Sequence, residues 1–212
     1  MPSSNAPLVV KLGGSLHASP ALAGWLAALK CYPRPLTIVP GGGPFADAVR
    51  AAQPAMRYDD KAAHAMAVLA MEQYALALAS RDDFLEFAAS PEAIAAAQAR
   101  GRIALWRPSA MVAAADDIAP AWDVTSDSLA AWLAKKMGAC ALALIKSVDV
   151  RDGASLSEIV RKGVVDSALP DYLDGTPLFL AGPSSLPHAA AHLADGVPPG
   201  AAIKNFPTRK FA

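Results

Sequence analysis

The chain has 212 residues, 54% of them hydrophobic, and its 19 basic and 19 acidic side chains leave no net charge. No Lys or Arg cluster runs along any segment, which excludes nucleic acid as a partner held by bulk charge, and the length suits one domain, 1–212, able to bury roughly 70% of its unfolded surface. Residues 1–7 lack basic side chains and the apolar run after them is too short for a signal core or a membrane span; with Cys31 and Cys140 matching no metal spacing and read as reduced and buried, the expected compartment is the cytoplasm.

In chain order, an apolar run predicts a first strand over 9–12, which carries Lys11 and runs into Gly13-Gly14-Ser15. A second strand, 37–39, runs into Pro40-Gly41-Gly42-Gly43, and Pro44 suits the first position of a helix. The helix expected over 61–79 is apolar nearly all round, so it is either buried or packed on a partner subunit, with Met66 and Met71 assigned to the core. Ser90-Pro91-Glu92 opens a helix that stops at Gly101, strand 103–106 follows, and Ser126-Asp127 opens a helix that stops at Gly138. Strands at 141–145, 178–180 and 202–204 complete the series. Strands that alternate with helices specify an α/β fold, here a three-layer αβα sandwich around a mainly parallel central sheet.

The two glycine turns read as phosphate cradles. Glycine lets main-chain N–H groups approach an anion, and a helix starting after the turn adds its positive end. Lys11 brings an ammonium to the carboxyl end of the first strand, where ligands sit in open parallel sheets. Taken alone, Gly13-Gly14 serves equally as a tight bend. The second turn also fits G-x-G-x-x-A, with Asp59 and Asp60 near the ribose-binding spacing, but a nicotinamide fold places that turn after its first strand, and the Walker pattern is absent. Asp127, alone a helix cap, could accept hydrogen bonds from Lys11 and Lys146 and fix both heads. Lys146, alone a solvated strand-end residue, would in that company stabilise charge on a transferring phosphoryl group.

In this order, Lys11-Leu12-Gly13-Gly14-Ser15, Pro40-Gly41-Gly42-Gly43, Thr125-Ser126-Asp127-Ser128, Lys146-Ser147-Val148-Asp149 and Leu180-Ala181-Gly182-Pro183 resemble the amino acid kinase family over nearly the whole chain. The resemblance implies that Lys11 and Lys146 bind and polarise the transferred phosphate and that Asp127 orients both. Gly13, Gly14 and Ser15, with Gly41, Gly42 and Gly43, would hold phosphate oxygens and acceptor. ATP and Mg2+ are implied as cofactors, with no metal held by side chains of the protein, together with a small-molecule phosphate acceptor and a homo-oligomer.

Within the family, the short length and the 63–74 and 122–128 stretches look most like the small kinases of methanofuran biosynthesis. That implies an aminomethylfuran-methyl phosphate acceptor and its diphosphate as product. Glu72 would then meet the acceptor's amine and His64 or Arg57 its phosphate, with Ser126 alongside. Trp106, Trp122 and Trp132 either line a furan pocket or fill the core. Asp149, Asp152 and Gly153 would lie near the nucleotide, in a loop that departs from the family's usual Val-Asp-Gly. A UMP-like nucleoside monophosphate kinase and a non-catalytic nucleotide- or oxyanion-binding storage protein are the rival readings.

Overall fold

Seven strands build one sheet in the computed structural model, which describes residues 6–204. They are β1 (Leu8–Leu12), β2 (Leu36–Pro40), β3 (Leu85–Ala88), β4 (Ile103–Trp106), β5 (Ala141–Ile145), β6 (Leu178–Ala181) and β7 (Ala201–Ala202). Their order across the sheet is β3-β4-β2-β1-β5-β6-β7, with every neighbour parallel except β6 and β7. The helices are α1 (Ala21–Leu29), α2 (Gly43–Met56), α3 (Asp60–Ala79), α4 (Pro91–Ala99), α5 (Ser109–Ala113), α6 (Ser126–Lys136), α7 (Leu156–Arg161), α8 (Leu169–Leu173) and α9 (Leu186–Ala194).

The pleat of the sheet sorts its side chains into two cores. Leu8, Val10 and Leu12 of β1 pack with Leu22 and Trp25 of α1 and Leu193 of α9. Val9 of β1, with Leu142 and Leu144 of β5, packs instead with Leu129 and Leu133 of α6 and Leu169 of α8. Helices therefore cover both faces, as a buried parallel sheet requires, and the α/β sandwich expected from the sequence is the fold observed. Lys11 shares the parity of Val9, and Lys146 continues that of Leu142 and Leu144, so both stems start on the face that α6 covers.

Several local expectations change. The strand at Leu85–Ala88 is additional to the six read from the sequence; it is a four-residue edge strand with a half-exposed face, too short for a clear period. The last strand is confined to Ala201–Ala202, and Lys204 only bridges to Ser155. Thr125, rather than Ser126 or Asp127, caps α6, and Asp59 is spent capping α3, its side chain accepting from Ala62 N at 2.8 Å. α3 is long and apolar enough to cross a membrane by composition, and half of it is buried inside the fold. Met71 lies in the core, but Met66 is partly exposed and Leu69 and Leu76 face outward. Cys31 is exposed at the end of α1 and Cys140 half-buried, so neither is the buried thiol expected; both are free.

Candidate active site

The sheet grows outward in two directions from the centre, through β2 on one side and β5 on the other. The crevice at the carboxyl ends of β1 and β5 is thus the switch point at which ligands bind in open α/β sheets. These two strands deliver Lys11 and Lys146 to that crevice.

The first turn of α6 meets them there. Thr125 holds the turn, its hydroxyl accepting from Asp127 N at 3.4 Å, and Asp127 is only 2% exposed. Lys11 Nζ lies 3.0 Å from Asp127 Oδ1, an ion pair lying off a hydrogen bond's line, and Lys146 Nζ donates to Oδ2. Burial alone would raise the Asp127 carboxyl, but the two ammonium groups outweigh it and hold the group down at about 2. Burial pushes the Lys146 ammonium down to about 8, aided by repulsion from Lys11 and opposed by Asp127 and then Asp166. Two buried cations share one buried anion, so the triad carries a surplus positive charge. A surplus of that kind in a low-dielectric site attracts an anion strongly.

The glycine turns follow β1 and β2, at the same strand ends. Gly13 N donates to Ile145 O at 3.0 Å and Gly41 N to Leu12 O at 2.9 Å, tying both turns to the central strands. They also touch each other: a Cβ on Gly14 would lie 2.7 Å from Gly43 Cα, and one on Gly41 would lie 2.8 Å from Gly14 Cα. Ser15 Oγ donates to Ser147 Oγ at 3.1 Å, joining the first turn to the loop after β5.

A cavity of about 280 Å³ is lined by Gly14, Ser15, Gly42 and Gly43 of these turns, while Lys11, Asp127 and Lys146 do not line it. Ser126 also lines it, as do Arg50, His64 and Trp122. Trp122 Nε1 donates to Gln53 Oε1 at 2.7 Å, and the Arg50 guanidinium stacks 4.6 Å above the Trp122 ring. His64 is buried; its Nδ1 faces Ala121 O at 3.3 Å, while Nε2 has no partner among the described residues. Burial pushes its pKa down, which favours the neutral ring. A carbonyl oxygen only accepts, so Nδ1 carries the proton and Nε2 presents a lone pair.

Glu72 stands outside this group. Its carboxylate accepts from Arg107 Nε and Nη2 and from Ser109 N and Oγ, which anchors the start of α5 and leaves it spent. Arg57 sits in the left-handed region at the end of α2 and Trp106 stacks on Trp132 in the core, so of the three tryptophans Trp122 meets the cavity.

Beyond β5 lies a second cavity of about 320 Å³, lined by Asp149, Asp152, Gly182, Ser184, His188 and Gly200. Asp149 Oδ1 accepts from Ser184 N at 3.0 Å and Oγ at 2.7 Å, and Gly153 turns the same loop with φ of 72°. Among the described residues no three His, Cys, Asp or Glu side chains come together as a metal site. Sequence reasoning missed Arg50, whose signal is its spacing of seven residues after Gly43 on one face of α2, and Asp166, which had no local signal at all.

Known proteins resemble this chain in sequence and in fold. The model of the amino acid kinase family matches residues 6–155. A protein of Methanocaldococcus jannaschii named [5-(aminomethyl)furan-3-yl]methyl phosphate kinase is 28% identical over 149 residues, which span 66% of this chain and 66% of that one, just under two thirds of its length. Solved structures of uridylate kinase from Archaeoglobus fulgidus (TM-score 0.66, 15% identical, 93% of this chain and 99% of that chain) and of UMP kinase from Ureaplasma parvum (TM-score 0.67, 14% identical, 95% and 100%) share the fold. So does UMP kinase from Bacillus anthracis (TM-score 0.65, 15% identical, 94% and 96%).

Proposed function

The chain belongs to the amino acid kinase family, and from that premise we infer that it is an ATP-dependent kinase that moves the γ-phosphoryl group onto the phosphate of a small phosphate monoester. The observation that carries this reading is the convergence of Lys11 and Lys146 on one buried Asp127, with two interlocked glycine turns at the ends of β1 and β2. The surplus cation of that triad would neutralise charge on the transferring group. Because the acceptor is already an ionised phosphate, no general base is needed, and positioning with charge neutralisation carries the rate.

The loop that follows Lys146 links the two cavities, since Ser147 Oγ accepts from Ser15 of the first and Asp149 and Asp152 line the second; on that basis the nucleoside of ATP would occupy the one lined by Asp149, Ser184 and His188, and the acceptor the one lined by Arg50, His64 and Trp122. The Asp127 carboxylate is already shared by two ammonium groups and leaves nothing for a metal. Magnesium fits this site as a companion of the triphosphate, bound chiefly by phosphate oxygens and water, where it would neutralise phosphate charge. The acceptor class follows the relative: an aminomethylfuran-methyl phosphate, converted to its diphosphate. Arg50 would hold its phosphate and the Nε2 lone pair of His64 would accept from its amine, an exchange of roles that frees Glu72 from acceptor binding.

The test is ADP release with ATP and Mg2+ against aminomethylfuran-methyl phosphate, UMP, isopentenyl phosphate and acetylglutamate, with product masses recorded. Diphosphate from the furan phosphate supports the full reading. Turnover of UMP instead keeps the kinase and discards the furan acceptor, and ATP binding without transfer to any of them discards the kinase.

A further inference from the structure

Asp166 lies between α7 and α8, about 40 residues from the first turn of α6, yet its carboxylate accepts four hydrogen bonds from that turn. Thr125 N donates at 3.0 Å and Thr125 Oγ1 at 2.7 Å; Ser128 N donates at 3.1 Å and Ser128 Oγ at 2.5 Å. Thr125 and Ser128 flank Asp127 in the chain, and Ser128 is fully buried.

A threonine hydroxyl has one proton and two lone pairs. By taking that proton, Asp166 turns the lone pairs of Thr125 toward the helix, where one accepts from Asp127 N. The relay runs from Asp127 N to Thr125 Oγ1 to Asp166 Oδ2. A carboxylate that also accepts from Ser128 N fixes the turn from the outside, while Asp127 points inward to both lysines.

We propose that Asp166 is a positioning residue for the Lys11–Asp127–Lys146 triad, holding the first turn of α6 so that one carboxylate serves both ammonium groups. Its charge acts on the triad as well. Among the described residues, the charged groups that act on Lys146 are Lys11 from β1, which disfavours the ammonium, and Asp127 from α6 and then, more weakly, Asp166 from the α7–α8 connection, which favour it. Loss of the Asp166 charge therefore makes Lys146 give up its proton at lower pH.

The activity arm rests on the kinase reading; the second arm does not. The pH dependence of kcat is compared in wild type, Asp166→Asn and Asp166→Glu. Asp166→Asn is expected to lose about 10- to 100-fold in kcat near neutral pH and to move the basic limb of the profile to lower pH, while Asp166→Glu, which keeps the charge, returns the limb toward wild type. In parallel, the Lys146 amine is titrated in the free protein by ¹³C NMR after reductive methylation, with Lys146→Arg for assignment. A lower titration midpoint in Asp166→Asn than in wild type supports the proposal even if no acceptor is turned over, a result that would sink only the kinase reading. A midpoint and a basic limb that both stay at the wild-type position in folded Asp166→Asn overturn it.

Discussion

Gly14 and Gly43 meet backbone to backbone: a Cβ on Gly14 would lie 2.7 Å from Gly43 Cα, so neither turn has space for a side chain on its partner's side. The neighbouring atoms are main chain, tied to the sheet through Gly13 N to Ile145 O and Gly41 N to Leu12 O, and cannot swing away as a flexible side chain would. Gly14→Ala is expected to cost about 1–3 kcal/mol, as overpacking does, and to lower Tm by about 2–4 °C per kcal/mol in a chain of this size. Thermal unfolding reads the first effect and ADP release the second, with turnover falling more steeply than stability because the cradle itself is displaced.

Removal of either lysine should act on the transition state. Lys11→Ala or Lys146→Ala is expected to lower turnover by about 10²- to 10³-fold, on the order of 3–4 kcal/mol. Steady-state kinetics with saturating ATP checks this, and wild-type turnover in Lys11→Ala would disprove the site.

The same triad stores instability. The folded pKa of Lys146, about 8, lies below that of an unfolded lysine, so below pH 8 the buried ammonium works against folding, and this cost disappears as pH rises from 8 toward the unfolded value. Lys146→Met, which leaves Lys11 and Asp127 as a balanced pair, should therefore be more stable than wild type at neutral pH, on the order of 1–3 kcal/mol, while losing turnover as Lys146→Ala does. Urea unfolding at pH 7 and pH 10 tests both halves, since the gain should shrink at the higher pH.

Asp127 has the opposite sign. Its folded pKa of about 2 lies below the value of an unfolded aspartate, so its contribution is fully present above roughly pH 4 and is lost as pH falls toward 2. Asp127→Asn should flatten the acid limb of a stability–pH curve across that window and abolish transfer. An acid limb identical to wild type would mean that other carboxylates govern acid unfolding.

In the cavity that His64 lines, His64→Phe keeps the bulk of the ring and removes the Nε2 lone pair. With an amine-bearing acceptor, kcat/KM is expected to fall by about 10- to 100-fold, whereas an analogue with methyl in place of aminomethyl should be nearly unaffected. Equal losses with both acceptors would assign His64 to the phosphate or to folding.

Much of this was legible in the chain. Lys11 lies within a short apolar run and Gly13, Gly14 and the Gly41–Gly43 turn follow such runs, and strand periodicity plus turn chemistry placed them at strand ends without tertiary information. Asp127 and Lys146 were legible only as members of the set, because a carboxylate at a helix start and a lysine at a strand end each have an ordinary use. Glu72 shows where such reading fails. Its acidity suggested an amine partner, but which helical face meets the cavity depends on packing, and Arg107, just after β4, and Ser109, at the start of α5, arrive more than thirty residues later. Asp166 was invisible for the same reason: its partners are set by how the α7–α8 connection lies against α6, a contact with no local pattern.

β1 takes one edge from β2, which follows it directly, and the other from β5, whose residues come more than a hundred positions later. During synthesis the strand that carries Lys11 is therefore left with an open, unpaired flank until residues 141–145 emerge. Contacts of such long sequence separation form slowly and leave exposed strand edges open to association. Recovery of activity after dilution from denaturant should accordingly lag behind recovery of helical signal, and the yield of active protein should fall as chain concentration rises.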